Sequence, residues 1–186
     1  MSRKRIFPLV LLLCCLSWAA IGQTDPWAAS ERKAGPAAVI SATLREEAWF
    51  VPGGPGVDGR PALLKARVFR PAGDGPFKVA IVSHGSPPSA AARPTMAVPR
   101  YASASTWLLE RGYMVVTPLR RGYGDHSPWA EHYGTCNGAD YVMAGNATAD
   151  DMLAAARYMA TQPMVRPERI LLVALCALRT NRAFPG

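Results

Sequence analysis

The sequence predicts an α/β domain whose sheet starts antiparallel and then becomes parallel. Three observations carry this. Two strand-like segments come first, separated by a loop rich in Gly and Pro. Three short apolar runs follow, "FKVAIVSHG" (77–85), "YMVVTPL" (113–119) and "RILLVA" (169–174). Between those runs lie segments with helical spacing and clear stop signals. Uninterrupted apolar runs suit strands buried on both faces. Their alternation with helices implies parallel pairing through crossover connections. A length of 186 residues suits one domain, and 49% hydrophobic with 18% charged residues is globular composition.

The N-terminus reads as a secretory signal over residues 1–22. Arg3, Lys4 and Arg5 form a positive n-region, residues 6–16 an apolar h-region, and Ala20-Ile21-Gly22 a small-residue cleavage site before Gln23. The apolar run is too short for a stable membrane span. An uncleaved signal anchor is the alternative. A lipoprotein signal fits less well, because Leu13 precedes Cys14 where a small residue is wanted. The expected location is secreted or periplasmic. The formal charge of +8 falls by three when the signal leaves, and the remaining basic residues form no dense run. No nucleic-acid partner is therefore expected. Cys136 and Cys176 would remain in an oxidising compartment, and whether they pair is open. Asn146-Ala147-Thr148 fits a glycosylation sequon.

Residues 23–41 read as a mobile lead-in, polar and rich in small residues. Residues 42–51, with Leu44, Trp49, Phe50 and Val51, read as a first strand. "VPGGPGVDGRP" (51–61) reads as a loop, since its glycines and prolines break both periodicities. "ALLKARVFRP" (62–71) alternates like a half-buried strand. "RYASASTWLLER" (100–111) reads as a helix stopped by Gly112. Residues 146–162 read as a longer helix. Thr148 is its expected N-cap, Asp150 and Asp151 suit its positive end, and Met152, Ala155, Ala156 and Met159 form its buried stripe. The domain proper is 42–173, followed by an atypical tail, 174–186.

Three stretches could carry chemistry. "SHGSPPS" (83–89) follows an apolar strand, where parallel sheets place ligand groups. Gly85 lets the backbone approach a ligand, and N–H groups at Gly85 and Ser86 could stabilise an oxyanion. The other reading is an ordinary turn with a structural His84. "LRRGYGDHS" (119–127) follows the next strand. Arg120 or Arg121 could brace it, and Arg121, Gly122, Tyr123 and Gly124, with His84 from the first loop, would form a rim to the site. Asp125 and His126 are adjacent, so they point apart. Residues 127–145 read as an irregular lid. His126, His132 and Cys136 match no closed zinc spacing, so no metal is expected. No Walker sequence and no G-x-G-x-x-G follows a strand, so no nucleotide cofactor is expected, nor any other.

In this order and spacing, "IVSHGSPPS", "GYMVVTPLRRGYGDHS", "TADDMLAAARYMATQP" and "PERILLV" resemble the α/β-hydrolase superfamily. The likeness is to its secreted dienelactone-hydrolase-like and prolyl-oligopeptidase-like branches, and it covers residues 63–173. It implies the N-terminal half of an α/β-hydrolase sheet. His84-Gly85 matches the oxyanion loop after that fold's third strand. Arg121-Gly122-Tyr123-Gly124-Asp125-His126-Ser127 matches the R-G-x-G-x-S loop after its fourth. The family next requires a G-x-S-x-G or G-x-C-x-G elbow, a strained turn that needs its glycines. Laid on this chain, the motif puts Ala174 and Leu178 at the glycines and Cys176 at the nucleophile. The family's acid and histidine follow the nucleophile, yet no Asp, Glu or His follows Cys176. A thiol without a base is a poor catalyst. The implied activity is ester, lactone or peptide acyl hydrolysis on a small-molecule ester or peptide, in a full-length form. This chain is expected to be an inactive version, ended early by a frameshift, a truncated gene or a sequence error past Val173. The alternative is a non-catalytic secreted remnant or binding protein.

Overall fold

The computed structural model describes residues 25–28, 32–87, 89–125, 127–135 and 137–174. Residues 1–22, Cys176, and the other two residues of the metal question, His126 and Cys136, lie outside them. Six strands and two helices follow one another as β1 (Gly35–Ser41), β2 (Glu46–Pro55), β3 (Pro61–Phe69), β4 (Phe77–Ser83), α1 (Ala102–Glu110), β5 (Tyr113–Pro118), α2 (Tyr141–Ala160) and β6 (Val165–Ala174). They form one sheet in the order β1-β2-β3-β5-β4-β6. The β1–β2, β2–β3 and β3–β5 pairs are antiparallel, and the β5–β4 and β4–β6 pairs are parallel. An antiparallel start followed by parallel strands linked through helices is the mixed α/β sheet that the sequence predicts.

Side-chain alternation along the strands builds a core on each face of this sheet. Val51, Leu64, Val68, Val79, Ile81, Met114 and Val116 point to one side, where Met152, Ala155 and Met159 of α2 cover them. Phe69, Ala80, Val82 and Val115 point to the other and meet Leu108 of α1. β4 and β5 are thus buried on both sides, which is why their sequences lack a polar alternation. β6 stands at the end of the strand order. Its Leu171 and Leu172, on opposite faces, remain 41% and 44% exposed.

Three expectations about element boundaries are corrected. The lead-in over 23–41 contains β1, which pairs with β2 from Gly35↔Phe50 to Ser41↔Glu46. The same segment brings Trp27 into the core, its indole N–H donating to the Trp49 carbonyl at 3.1 Å. Its small residues suit an edge strand interrupted by register shifts, and hydrophobic periodicity does not flag such a strand. The Gly-Pro run expected as loop from residue 51 is ladder as far as Pro55, with a register irregularity between Pro52 and Pro55. Finally, α2 begins at Tyr141 rather than Asn146. Asp140 is its cap, accepting from the Met143 N–H at 2.8 Å. The residues expected at the end of the lid are therefore its first turn, and the sequon lies inside the helix.

Asp151 sits in mid-helix as a buried anchor. Its carboxylate is 1% exposed and accepts from Gly54 N–H (2.8 Å), Arg121 N–H (2.9 Å) and Arg121 Nε (2.6 Å). Burial pushes this carboxyl up, against the pull of those donors. Gly53 and Gly54 make the approach possible. A Cβ on Gly54 would lie 2.7 Å from the Arg121 guanidinium, and one on Gly53 would lie 2.8 Å from the Asp151 carboxylate. Asp151 thus joins the irregular end of β2, helix α2 and the loop after β5. Asp151→Asn loses the ion pair and one acceptor oxygen, so urea unfolding should show a loss of about 2 kcal/mol.

Candidate active site

β4 and β5 are parallel neighbours, so the loops that leave them emerge at the same end of the sheet. His84, Gly85 and Ser86 come from the first loop. Arg120 to Gly124 come from the second. Glu131 arrives from the stretch beyond it, and a buried polar cluster joins all three.

Arg120 is the hub. Its side chain is 4% exposed, which makes unpaired donors costly. Nε and Nη2 donate to the two oxygens of Glu131, the latter at 3.1 Å. Nη1 donates to Ser83 Oγ at 2.7 Å and to the His84 carbonyl. Tyr123 donates its hydroxyl to Glu131 Oε2 at 2.8 Å and receives the Trp129 indole N–H at 3.0 Å. Ser86 Oγ bonds the same Tyr123 hydroxyl. Burial opposes the charge on Glu131, but the hydrogen bonds and charge of Arg120 win and hold its carboxyl below the ordinary value. Burial raises the Tyr123 hydroxyl, and the charge of Glu131 adds to this.

His84 is 2% exposed and has both ring nitrogens engaged. The backbone N–H of Arg120 donates to Nε2 at 3.1 Å. A donor there requires a lone pair on Nε2, so Nδ1 carries the proton and donates to the Gly85 carbonyl at 2.9 Å. The Tyr123 ring packs edge-on at 4.5 Å between centroids. Burial, then the neighbouring Arg120 charge, lowers the His84 pKa from 6.5 to about 4. At neutral pH the ring is uncharged and its acceptor nitrogen is occupied. His84 therefore positions the loop and is not a free base.

This network orients the two amides of interest. The His84–Gly85 peptide is trans, so its N–H points opposite to its C=O. Arg120 takes that carbonyl, and Gly85 N–H consequently faces away from Arg120, toward the Tyr101 hydroxyl. The Gly85 carbonyl is turned to the His84 ring, so Ser86 N–H points away from it. Tyr101 is the residue before α1 and has left-handed backbone, φ 45° and ψ 52°. Glycine adopts that conformation most readily, so the surrounding structure holds Tyr101 there against a local backbone cost. Burial raises its hydroxyl pKa, leaving it protonated at neutral pH.

The two arginines that the sequence could not separate go opposite ways. Arg120 enters the cluster under His84. Arg121 turns to the other side, onto Asp151 and the carbonyls of Pro55 and Ala147. Arg121, expected at the site rim, is thus a brace between β2, α2 and the loop after β5, and it walls a surface cleft of about 400 Å³ with Pro55 and Ser127. Gly122 and Gly124 have φ of +83° and +70°. A Cβ on Gly122 would come 2.4 Å from Trp129 Cα, and one on Gly124 would come 2.8 Å from the Met96 carbonyl. These glycines let the second loop fold over Tyr123. Glu131 and Tyr101 are participants that the sequence did not single out. Among the described residues no group of three His, Cys, Asp or Glu could hold a metal ion, and no helix is long and apolar enough to cross a membrane.

No protein-family model matches the chain, and no curated protein matches it. Solved structures with a similar path include dipeptidyl peptidase 4 of Porphyromonas gingivalis, with 20% identity, a TM-score of 0.47, and 70% of this chain covered against 17% of the peptidase. An acetyl xylan esterase from Paenibacillus sp. R4 has 15% identity and a TM-score of 0.47, with 76% of this chain covered against 45% of the esterase. A CocE/NonD family hydrolase from Staphylococcus aureus has 22% identity and a TM-score of 0.38, with 68% covered against 23%. The chain spans less than half the length of each. The strand order and pairing, rather than these scores, carry the fold assignment.

Proposed function

We propose that the chain carries the oxyanion-binding part of a secreted or periplasmic acyl hydrolase acting on an ester, lactone or amide. The observation behind this reading is the orientation of the amides at Gly85 and Ser86. They sit at the carboxyl end of a buried parallel strand, and the network holds the His84 and Gly85 carbonyls, which leaves Gly85 N–H beside the Tyr101 hydroxyl and turns Ser86 N–H away from the His84 ring. A carbonyl that becomes tetrahedral places negative charge on its oxygen, and fixed N–H donors at that point lower the barrier. The protonated Tyr101 hydroxyl beside Gly85 N–H supplies a further donor. The nucleophile position falls at Cys176 by motif, outside the described residues.

A donor loop stabilises charge but does not attack, and after Cys176 the sequence offers no base or acid. The 186-residue chain should therefore hydrolyse 4-nitrophenyl butyrate at about the buffer rate. Coding DNA read in every frame beyond Glu168 should encode a G-x-S-x-G or G-x-C-x-G elbow followed by an acid and a histidine. The chain so completed should hydrolyse the ester. If no frame encodes them, the reading fails and a non-catalytic secreted binding protein takes its place.

A further inference from the structure

Among the described residues five arginines are neutralised by carboxylates. Arg67 and Arg100 meet Glu46, Arg70 meets Glu47, Arg120 meets Glu131 and Arg121 meets Asp151. Arg93 is different. Its Nε is buried without an acceptor, as is that of Arg70, but Arg70 has Glu47, whereas among the described residues no carboxylate lies within ion-pair distance of Arg93. Its guanidinium stacks on Trp129, 3.5 Å from the ring centroid. Stacking fixes the plane of the group and removes water from one face, while leaving the edge donors free to bond.

Arg93 is also tied to the candidate site. Its carbonyl accepts the Gly124 N–H at 2.8 Å, which holds it against the loop after β5. The Trp129 indole donates to the Tyr123 hydroxyl, and that hydroxyl bonds Ser86. One aromatic ring therefore separates the unpaired guanidinium from the Tyr123–Ser86 pair. Among the described residues neither Nη group of Arg93 has an acceptor, so the outer edge of the guanidinium can take one from a ligand. A planar fork with a fixed orientation fits a carboxylate better than a neutral carbonyl, because two parallel charge-assisted bonds form at once.

We infer that Arg93 is a specificity-determining residue that binds a carboxylate carried by the substrate, beside the acyl group to be cleaved. This rests on the acyl-hydrolase reading of the loop. It selects, within esters, lactones and amides, those with a second, anionic end.

The test compares two probes on the same diacid skeleton, monomethyl glutarate, which bears one carboxylate, and dimethyl glutarate, which bears none. Affinities are read from tryptophan fluorescence and the indole N–H resonances of the full chain at neutral pH. The expected result is at least a tenfold preference for monomethyl glutarate. In Arg93→Gln that ratio falls to about one, and Arg93→Lys, which keeps the charge but not the fork, retains an intermediate ratio. Unchanged thermal unfolding of the lysine variant guards against loss of fold. If the wild-type ratio is near one while dimethyl glutarate binds, the inference is overturned and the acyl-hydrolase reading stands. A preference that survives Arg93→Gln also overturns it. If neither probe binds, the acyl-hydrolase reading fails and this inference fails with it.

Discussion

Glu131→Ala lowers the unfolding free energy by about 3–5 kcal/mol, the cost of leaving a buried charge without its partner. The cause lies in Arg120, whose side chain is 4% exposed and directs two of its three nitrogens at Glu131. Without the carboxylate, a buried guanidinium keeps only Ser83 Oγ and the His84 carbonyl as acceptors. Tyr123 also loses the oxygen that receives its proton. Equilibrium urea unfolding checks the magnitude. Glu131→Gln, which keeps the shape and one acceptor, should recover part of the loss. A change below about 1 kcal/mol in the alanine variant would mean that the cluster is solvated and does not lock the His-Gly loop.

Acid should weaken the fold through His84. The ring has a pKa of about 4 when folded, lowered first by burial and then by Arg120, against 6.5 when exposed. Between these values the unfolded chain binds the extra proton and the folded chain does not. Stability therefore rises with pH across this window, is complete above 6.5, and is lost as pH falls toward 4. The shift corresponds to at most about 3 kcal/mol. Carboxylates titrate in part of the same range, so the informative quantity is a difference. Unfolding free energies at pH 7 and pH 4.5 should diverge more in the wild type than in His84→Gln, which has no proton to gain. Equal divergence in the two proteins would place the acid sensitivity elsewhere.

The two loops and the change from antiparallel to parallel strands were legible because burial on both faces leaves a simple record. β4 and β5 are short, uninterrupted apolar runs, and the Gly-containing loops follow directly. β1 was not legible, since "GPAAVIS" has no strong alternation and gains its order from pairing with β2. The start of α2 was misplaced for a chemical reason. Thr148, Asp150 and Asp151 have the composition of a helix N-terminus, but Asp151 is an anchor in mid-helix, and the real cap is Asp140. The candidate site was half legible. His84, Gly85 and Ser86 follow from their place after a strand. Glu131 does not, because its partner lies in another loop and nothing local marks a loop glutamate as buried. Nor can sequence tell Arg120 from Arg121. Neighbouring residues face opposite ways, and which one turns inward depends on Asp151 and Glu131 on the two sides.

The most direct test of the central claim is a two-dimensional ¹H–¹⁵N NMR titration of the full chain with the methyl methylphosphonate anion, a tetrahedral oxyanion. The Gly85 and Ser86 amide resonances should shift together and saturate at one binding constant, as both donate to the same oxygen. Saturating shifts elsewhere with these two amides unmoved, or no saturable shift at all, would contradict the claim.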